Sequence, residues 1–95
     1  MTEVDALEAM IREAAKVLDL RRVYLFGSRA RGDARKDSDI DLAFDHGSPP
    51  AAWADFVNAM RDGAPTLLDL DLVDLAEIGP ELRTRILSEG RVLYG

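Results

Sequence analysis

Apolar residues recur every three or four positions in three segments of the chain, which is the spacing of a helix with one buried face. These segments are residues 2–19, 51–61 and 80–89. The second carries an apolar stripe of Trp53, Phe56, Val57 and Met60. The third begins at Pro80 and is followed by Gly90, the residues that commonly open and close a helix. The pattern therefore predicts three helices.

Three other segments have the character of strands. Residues 22–26 form a short β-branched and aromatic run, whereas 39–45 and 66–75 alternate between apolar and polar positions, as half-buried strands do. Two shorter pieces, 28–31 and 91–94, are compatible with a helical turn and a final short strand. The order α-β-β-α-β-α predicts an α/β (α+β) fold with a small mixed sheet flanked by helices.

Length and composition limit the classes of protein to consider. Ninety-five residues with 47% hydrophobic content predict one globular domain over residues 1–95. The absence of cysteine excludes disulfides and cysteine-ligated zinc, and fits a reducing compartment. Neither a secretory leader nor an apolar run of about 18 residues is present. We therefore expect a cytoplasmic protein.

Charge is unevenly distributed. The net charge of −6 argues against binding along extended nucleic acid. Half of the twelve basic residues nevertheless lie within residues 21–36, and closely spaced aspartates follow. Such a layout suits a phosphate site beside a metal site. The competing interpretation is a solvated arginine-rich loop beside an acidic strand edge, since charge runs are usually solvated.

A motif with chemical meaning spans this region. Gly27 and Ser28 are followed by ten residues and then by Asp39-Ile40-Asp41. A glycine after a strand allows backbone to approach a phosphate, and the turn opened by a serine offers N–H groups and a hydroxyl. Carboxylates two positions apart on a strand share one face, about 6.5–7 Å apart at Cα. They can therefore share divalent cations that also bind substrate phosphate.

The segment LFGSRARGDARKDSDIDLAF resembles the polymerase-β-type nucleotidyltransferase superfamily, and its short form resembles the minimal nucleotidyltransferase (MNT) branch. The resemblance implies that Gly27 and Ser28 hold phosphate and that Asp39 and Asp41 bind two Mg²⁺ ions. It also implies a third catalytic carboxylate and metal ligand on a later strand. Asp71 matches that position. Asp69 is the rival on the same strand face, and Asp74 points the other way and ends the strand.

The remaining candidates are less specific. Arginine suits bidentate phosphate contacts, so Arg29 and Arg31 are predicted to bind the nucleotide, with Arg35 and Lys36 as weaker candidates. His46 is interpreted as a loop residue, not as a ligand or base. The aromatic stripe beginning at Trp53 is interpreted as core or partner-facing surface, not as a platform for stacking a base.

The resemblance implies an enzyme that transfers AMP from ATP to a hydroxyl. Because 95 residues leave no room for the acceptor domain of larger members, we expect the acceptor site to come from a partner protein, in a hetero-oligomer, or from the protein's own oligomer. MNT proteins are typically antitoxins that can adenylylate a tyrosine of a HEPN-domain RNase toxin. Two alternatives remain open: an antitoxin that blocks its toxin by binding alone, and a stand-alone nucleotidyltransferase acting on a small molecule.

Overall fold

The computed structural model of the protein describes residues 3–32, 39–63 and 69–95. Helices and strands alternate through these ranges, so the predicted mixed α/β class is confirmed. The elements are α1 (Glu3–Ala14), β1 (Leu20–Phe26), α2 (Ser28–Arg31), β2 (Ile40–His46), α3 (Pro50–Gly63), β3 (Leu70–Asp74), α4 (Pro80–Glu89) and β4 (Arg91–Tyr94). The short helical turn and the final strand are both present.

Several element boundaries differ from the sequence prediction by one or two residues, and two differ by more. The first helix ends at Ala14, and the chain then tightens into turns in which the Val17 and Leu18 N–H groups both donate to the Ala14 carbonyl. The last long strand begins at Leu70, so Asp69 lies just before it, and residues 66–68 fall outside the described ranges. Strand ends depend on where a neighbouring strand provides hydrogen bonds, which periodicity does not report.

The four strands form one mixed sheet in the order β3-β2-β1-β4. β1 is antiparallel to both β2 and β4, whereas β2 and β3 are parallel. As a result, β1 ends at the same edge of the sheet where β2 and β3 begin. This edge collects the residues that follow β1 and those that open β2 and β3.

Each face of the sheet has its own apolar cluster. The larger cluster joins alternate residues of the strands to α1 and α3, with Phe44 and Leu42 fully buried. The smaller one lies on the opposite face, where α4 contributes Ile86 and covers Tyr24 and Ala43. On this face, near the start of β2 and β3, Asp41 is partly exposed and Asp71 is exposed. Across residues 3–32, 39–63 and 69–95, no helix has the length and apolar character needed to cross a bilayer.

Candidate active site

The candidate site lies where β1 ends and β2 and β3 begin. Asp41, the second residue of β2, is paired with Phe26 on β1 and with Asp71 on β3. Asp41 is therefore central, with a strand on each side. Residues paired in register share a face of the sheet, so the Asp41 and Asp71 carboxylates emerge side by side. The sequence predicted a shared strand face for Asp39 and Asp41, and Asp39 lies immediately before β2.

Gly27 follows β1 and contacts Asp41 directly. Its backbone has φ 71° and ψ −153°, a region that essentially only glycine adopts. A Cβ atom built on Gly27 would collide with the Asp41 Oδ2 atom. Both the backbone conformation and the packing therefore require glycine here.

The turn after Gly27 carries the predicted phosphate-binding residues. Ser28 and Arg29 are partly exposed and Arg31 is exposed in the four-residue α2. The Arg31 N–H donates to the Gly27 carbonyl at 3.2 Å, and Gly32 then closes the turn in a left-handed conformation. These contacts hold the turn against the end of β1, beside Asp41.

Three carboxylates crowd together at this edge. The pKa of Asp41 is raised, first by burial and then by the negative charges of Asp71 and Asp39. A side-chain hydrogen bond with Asp71 acts in the same direction, whereas the positive charge of Arg31 opposes it. The predicted residues Asp39, Asp71 and Arg31 are thus close enough to act electrostatically on Asp41.

This donor set fits a hard divalent cation, which prefers carboxylate oxygens and can bring substrate oxygens as its remaining ligands. A positive ion here would offset the repulsion that raises the Asp41 pKa. Within the described ranges, however, no group of three or more His, Asp or Glu side chains is arranged so that it could hold a metal ion. The assignment of Asp39, Asp41 and Asp71 as the residues that would hold Mg²⁺ stays a prediction.

The register favours Asp71 over Asp69 as the third carboxylate. Asp71 pairs with Asp41 and forms a side-chain hydrogen bond with it. Asp69 is exposed, precedes the strand, and contributes its backbone carbonyl to the Ile40 N–H. Asp74 pairs with Phe44 and so lies on the opposite face, at the end of β3, where the sequence placed it.

Sequence reasoning missed the surroundings of Asp74 and His46. His46 is the last residue of β2, with a side chain only 5% exposed, and its Nε2 lies 3.0 Å from the Asp74 Oδ2. Its Nδ1 accepts a hydrogen bond from the Ser48 N–H, and its ring stacks on Trp53 at 4.6 Å. The loop interpretation of His46 is therefore wrong, and Asp74 is not an exposed edge charge. The alternation of 39–45 placed His46 on the core face, a signal that could have found this pair.

Two further outcomes concern the weaker candidates. Phe56 and Met60 are buried in the larger core cluster and Trp53 packs against it, so the aromatic stripe is core, as interpreted. Arg35 and Lys36 lie outside the described residues.

Three comparisons place this chain among known proteins. Residues 8–95 match the family described as Polymerase beta, Nucleotidyltransferase. The protein adenylyltransferase MntA of Shewanella oneidensis is 32% identical over 76 residues, which are 80% of this chain and 55% of MntA. This chain thus spans little more than half the length of that curated relative.

Two solved structures share the fold. A toxin–antitoxin complex with AMP-PNP contains a chain that is 27% identical, with a TM-score of 0.72, and the match covers 93% of this chain and 73% of that one. A protein described as a minimal nucleotidyltransferase is 30% identical, with a TM-score of 0.66 and 95% of both chains covered. The family match extends over nearly the whole sequence and includes every residue of the site described above. This chain belongs to the polymerase β nucleotidyltransferase family.

Proposed function

We propose that this protein is a Mg²⁺-dependent adenylyltransferase that moves AMP from ATP to a hydroxyl of a partner protein. The acceptor is a tyrosine of a HEPN-domain RNase toxin, and the protein acts as the antitoxin. Support comes from its similarity to MntA, which is named a protein adenylyltransferase, and to a chain of a toxin–antitoxin complex that binds AMP-PNP.

One observation carries the proposal. Asp41 lies between Gly27 and Asp71 at the end of the sheet where β1 finishes and β2 and β3 begin. The arrangement is electrostatically unfavourable without a ligand, because burial and two neighbouring carboxylates raise the Asp41 pKa. It also requires a glycine in a conformation closed to other residues. A structure that needed only stability would not favour such an arrangement, whereas a site for cations and phosphate explains both features.

The proposed reaction is an in-line displacement at the α-phosphorus of ATP. The acceptor oxygen forms a bond to that phosphorus, the bond to the bridging oxygen of the β-phosphate breaks, and pyrophosphate leaves. Asp71 takes the acceptor proton, because it lies on the β3 side of Asp41 and is exposed to an incoming group. Mg²⁺ held by Asp39, Asp41 and Asp71 would neutralise phosphate charge and lower the acceptor pKa. Ser28, Arg29 and Arg31 orient the triphosphate.

The test uses the full chain, ATP-Mg²⁺ and a candidate helical toxin, with intact mass spectrometry of the toxin. We expect the toxin to gain the mass of AMP units, and replacement of its acceptor tyrosine by phenylalanine to remove one unit. The Asp39→Asn, Asp41→Asn double variant should add none. Asp62→Asn, an exposed aspartate of α3, is the matched control and should behave as the unchanged protein.

Two outcomes would replace the proposal. If the double variant transfers no AMP yet still rescues growth of cells that express the toxin, neutralisation proceeds by binding alone. If the chain adenylylates a small molecule while leaving the toxin unmodified, it is a stand-alone nucleotidyltransferase. An unmodified toxin with no other acceptor would exclude adenylylation as its activity.

A further inference from the structure

A cleft of about 130 Å³ opens between the turn α2 and the second half of α4. Its apolar wall is formed by Phe26, Leu82 and Ile86, and its polar side chains are Arg31, Arg85 and Glu89. Arg85 was not a candidate in the sequence, because it lies 57 positions after Ser28 and belongs to no motif. The lining therefore contains two guanidinium groups and one carboxylate, which gives it a net positive charge.

The cleft is continuous with the candidate active site. Gly27 lines it and packs against the Asp41 carboxylate on its other side. Arg31 also lines it, and its charge acts on Asp41. Gly27 therefore connects the two, because it contacts the Asp41 carboxylate and also lines the cleft.

The strand order shows on which side of Asp41 the cleft lies, and this side can be related to the geometry of the proposed reaction. Asp71 lies on β3, on one side of Asp41, whereas the cleft lies beyond the end of β1, on the other side. In an in-line displacement the attacking and leaving oxygens are on opposite sides of the phosphorus. If the acceptor approaches beside Asp71, the pyrophosphate leaves toward Arg31 and the cleft.

We propose that Arg85 binds the β- and γ-phosphates of the nucleotide together with Arg31, and so positions the leaving group. This inference rests on the proposed function. In the described parts of the chain, the Arg85 side chain forms no hydrogen bond or ion pair, and Glu89 lies four residues further along α4 without pairing with it. The guanidinium is thus available for a bidentate phosphate contact.

Calorimetric titration of the full chain with ATP, pyrophosphate and AMP, each with Mg²⁺, tests the proposal. In Arg85→Gln we expect the Kd of ATP and of pyrophosphate to rise about 10-fold or more, the usual effect of one charge-assisted hydrogen bond. The Kd of AMP should change less than about 2-fold, because AMP lacks both distal phosphates. Arg85→Lys should recover part of the lost affinity, because lysine keeps the positive charge but lacks the planar guanidinium that forms two parallel hydrogen bonds.

Arg61→Gln, an exposed arginine on α3, removes the same charge outside the cleft and should leave all three affinities unchanged. A merely structural role for Arg85 would lower the melting temperature and weaken AMP and ATP alike. Equal weakening of AMP and ATP would place the nucleoside in the cleft and overturn the assignment, as would unchanged ATP binding. If Arg85→Gln selectively weakens pyrophosphate but the unchanged protein transfers no AMP, the phosphate contact stands and the proposed function fails.

Discussion

The two ends of the β2–β3 strand pair place their carboxylates in opposite surroundings. At the end where the strands begin, Asp41 faces Asp71, and the pKa of Asp41 is raised by burial and by that neighbour. At the end where they finish, Asp74 is paired with His46 at 3.0 Å, and His46 stacks on Trp53. Asp71 and Asp74 are only three residues apart on one strand.

The difference separates the proposed ligand site from a structural contact. His46 receives the Ser48 N–H at Nδ1, so its proton is on Nε2 and points at Asp74. Both ring nitrogens of His46 and both carboxylate oxygens of Asp74 have hydrogen-bond partners within the protein. The pKa of Asp41 instead stays raised although the charge of Arg31 opposes the shift, so a further cation would be favourable here. Substitutions at the two ends should therefore separate activity from stability.

The largest effect is expected for Asp41→Asn. Loss of this carboxylate should lower AMP transfer by about 10²–10³-fold, the scale of removing one preorganised electrostatic contact. Stability should not fall: because the folded-state pKa is raised, the ionised group is less favourable in the folded protein than in the unfolded chain above that pKa. Thermal melting without Mg²⁺ should show an unchanged or slightly higher midpoint. A clear drop would contradict the contrast between the two ends.

The next largest effect concerns which aspartate, Asp71 or Asp69, serves as the third carboxylate of the site. Asp71→Asn should reduce transfer by about 10²-fold or more, because it removes the group beside Asp41. Asp69→Asn should change the rate less than about 3-fold, an effect well under 1.4 kcal/mol, since Asp69 is exposed and lies before the strand. Initial rates at saturating ATP measure both. The reverse ranking would assign the role to Asp69.

Gly27→Ala should lower both the rate of AMP transfer and the stability of the protein. Gly32→Ala is its matched control. Both glycines have positive φ, 71° and 82°, but a Cβ atom at Gly32 would meet nothing within 4 Å, whereas at Gly27 it would collide with Asp41. We expect about 1–2 kcal/mol of destabilisation for Gly32→Ala and about 1–3 kcal/mol for Gly27→Ala. Only Gly27→Ala should also lose AMP transfer. Urea denaturation and transfer assays provide the comparison. Equal effects on transfer would show that the Asp41 contact is unimportant.

The smallest effect on catalysis is expected at the other end of the strands. His46→Phe keeps an aromatic ring against Trp53 but leaves the largely buried Asp74 carboxylate without its histidine partner. Loss of that partner should destabilise the protein by about 1–3 kcal/mol. The transfer rate of the folded variant should stay near that of the unchanged protein. Urea denaturation tests the first expectation, and a large loss of transfer below the transition would link the two ends.

Local patterns in the sequence predict most of the helices and strands. They do not predict which distant residues contact one another. The helix 80–89 and the alternation of 39–45 depend on neighbouring residues alone, and both are present in the structure. The 2–19 helix is shorter than predicted, because the apolar stripe continues into turns that also pack against the core. His46 was misjudged because its partner Asp74 is 28 residues away.

The sequence by itself determined the mixed α/β class, the order of the elements and the Gly27-Ser28 and Asp39-Ile40-Asp41 motif, because periodicity and short spacings are local properties. Only the tertiary structure decided that Asp71 is the carboxylate beside Asp41, since register between β2 and β3 is set by packing of the whole sheet. The same holds for the collision that makes Gly27 obligatory and for the arrival of Arg85 beside Arg31. In each case the two groups are distant in the chain and meet only when the sheet and α4 are in place.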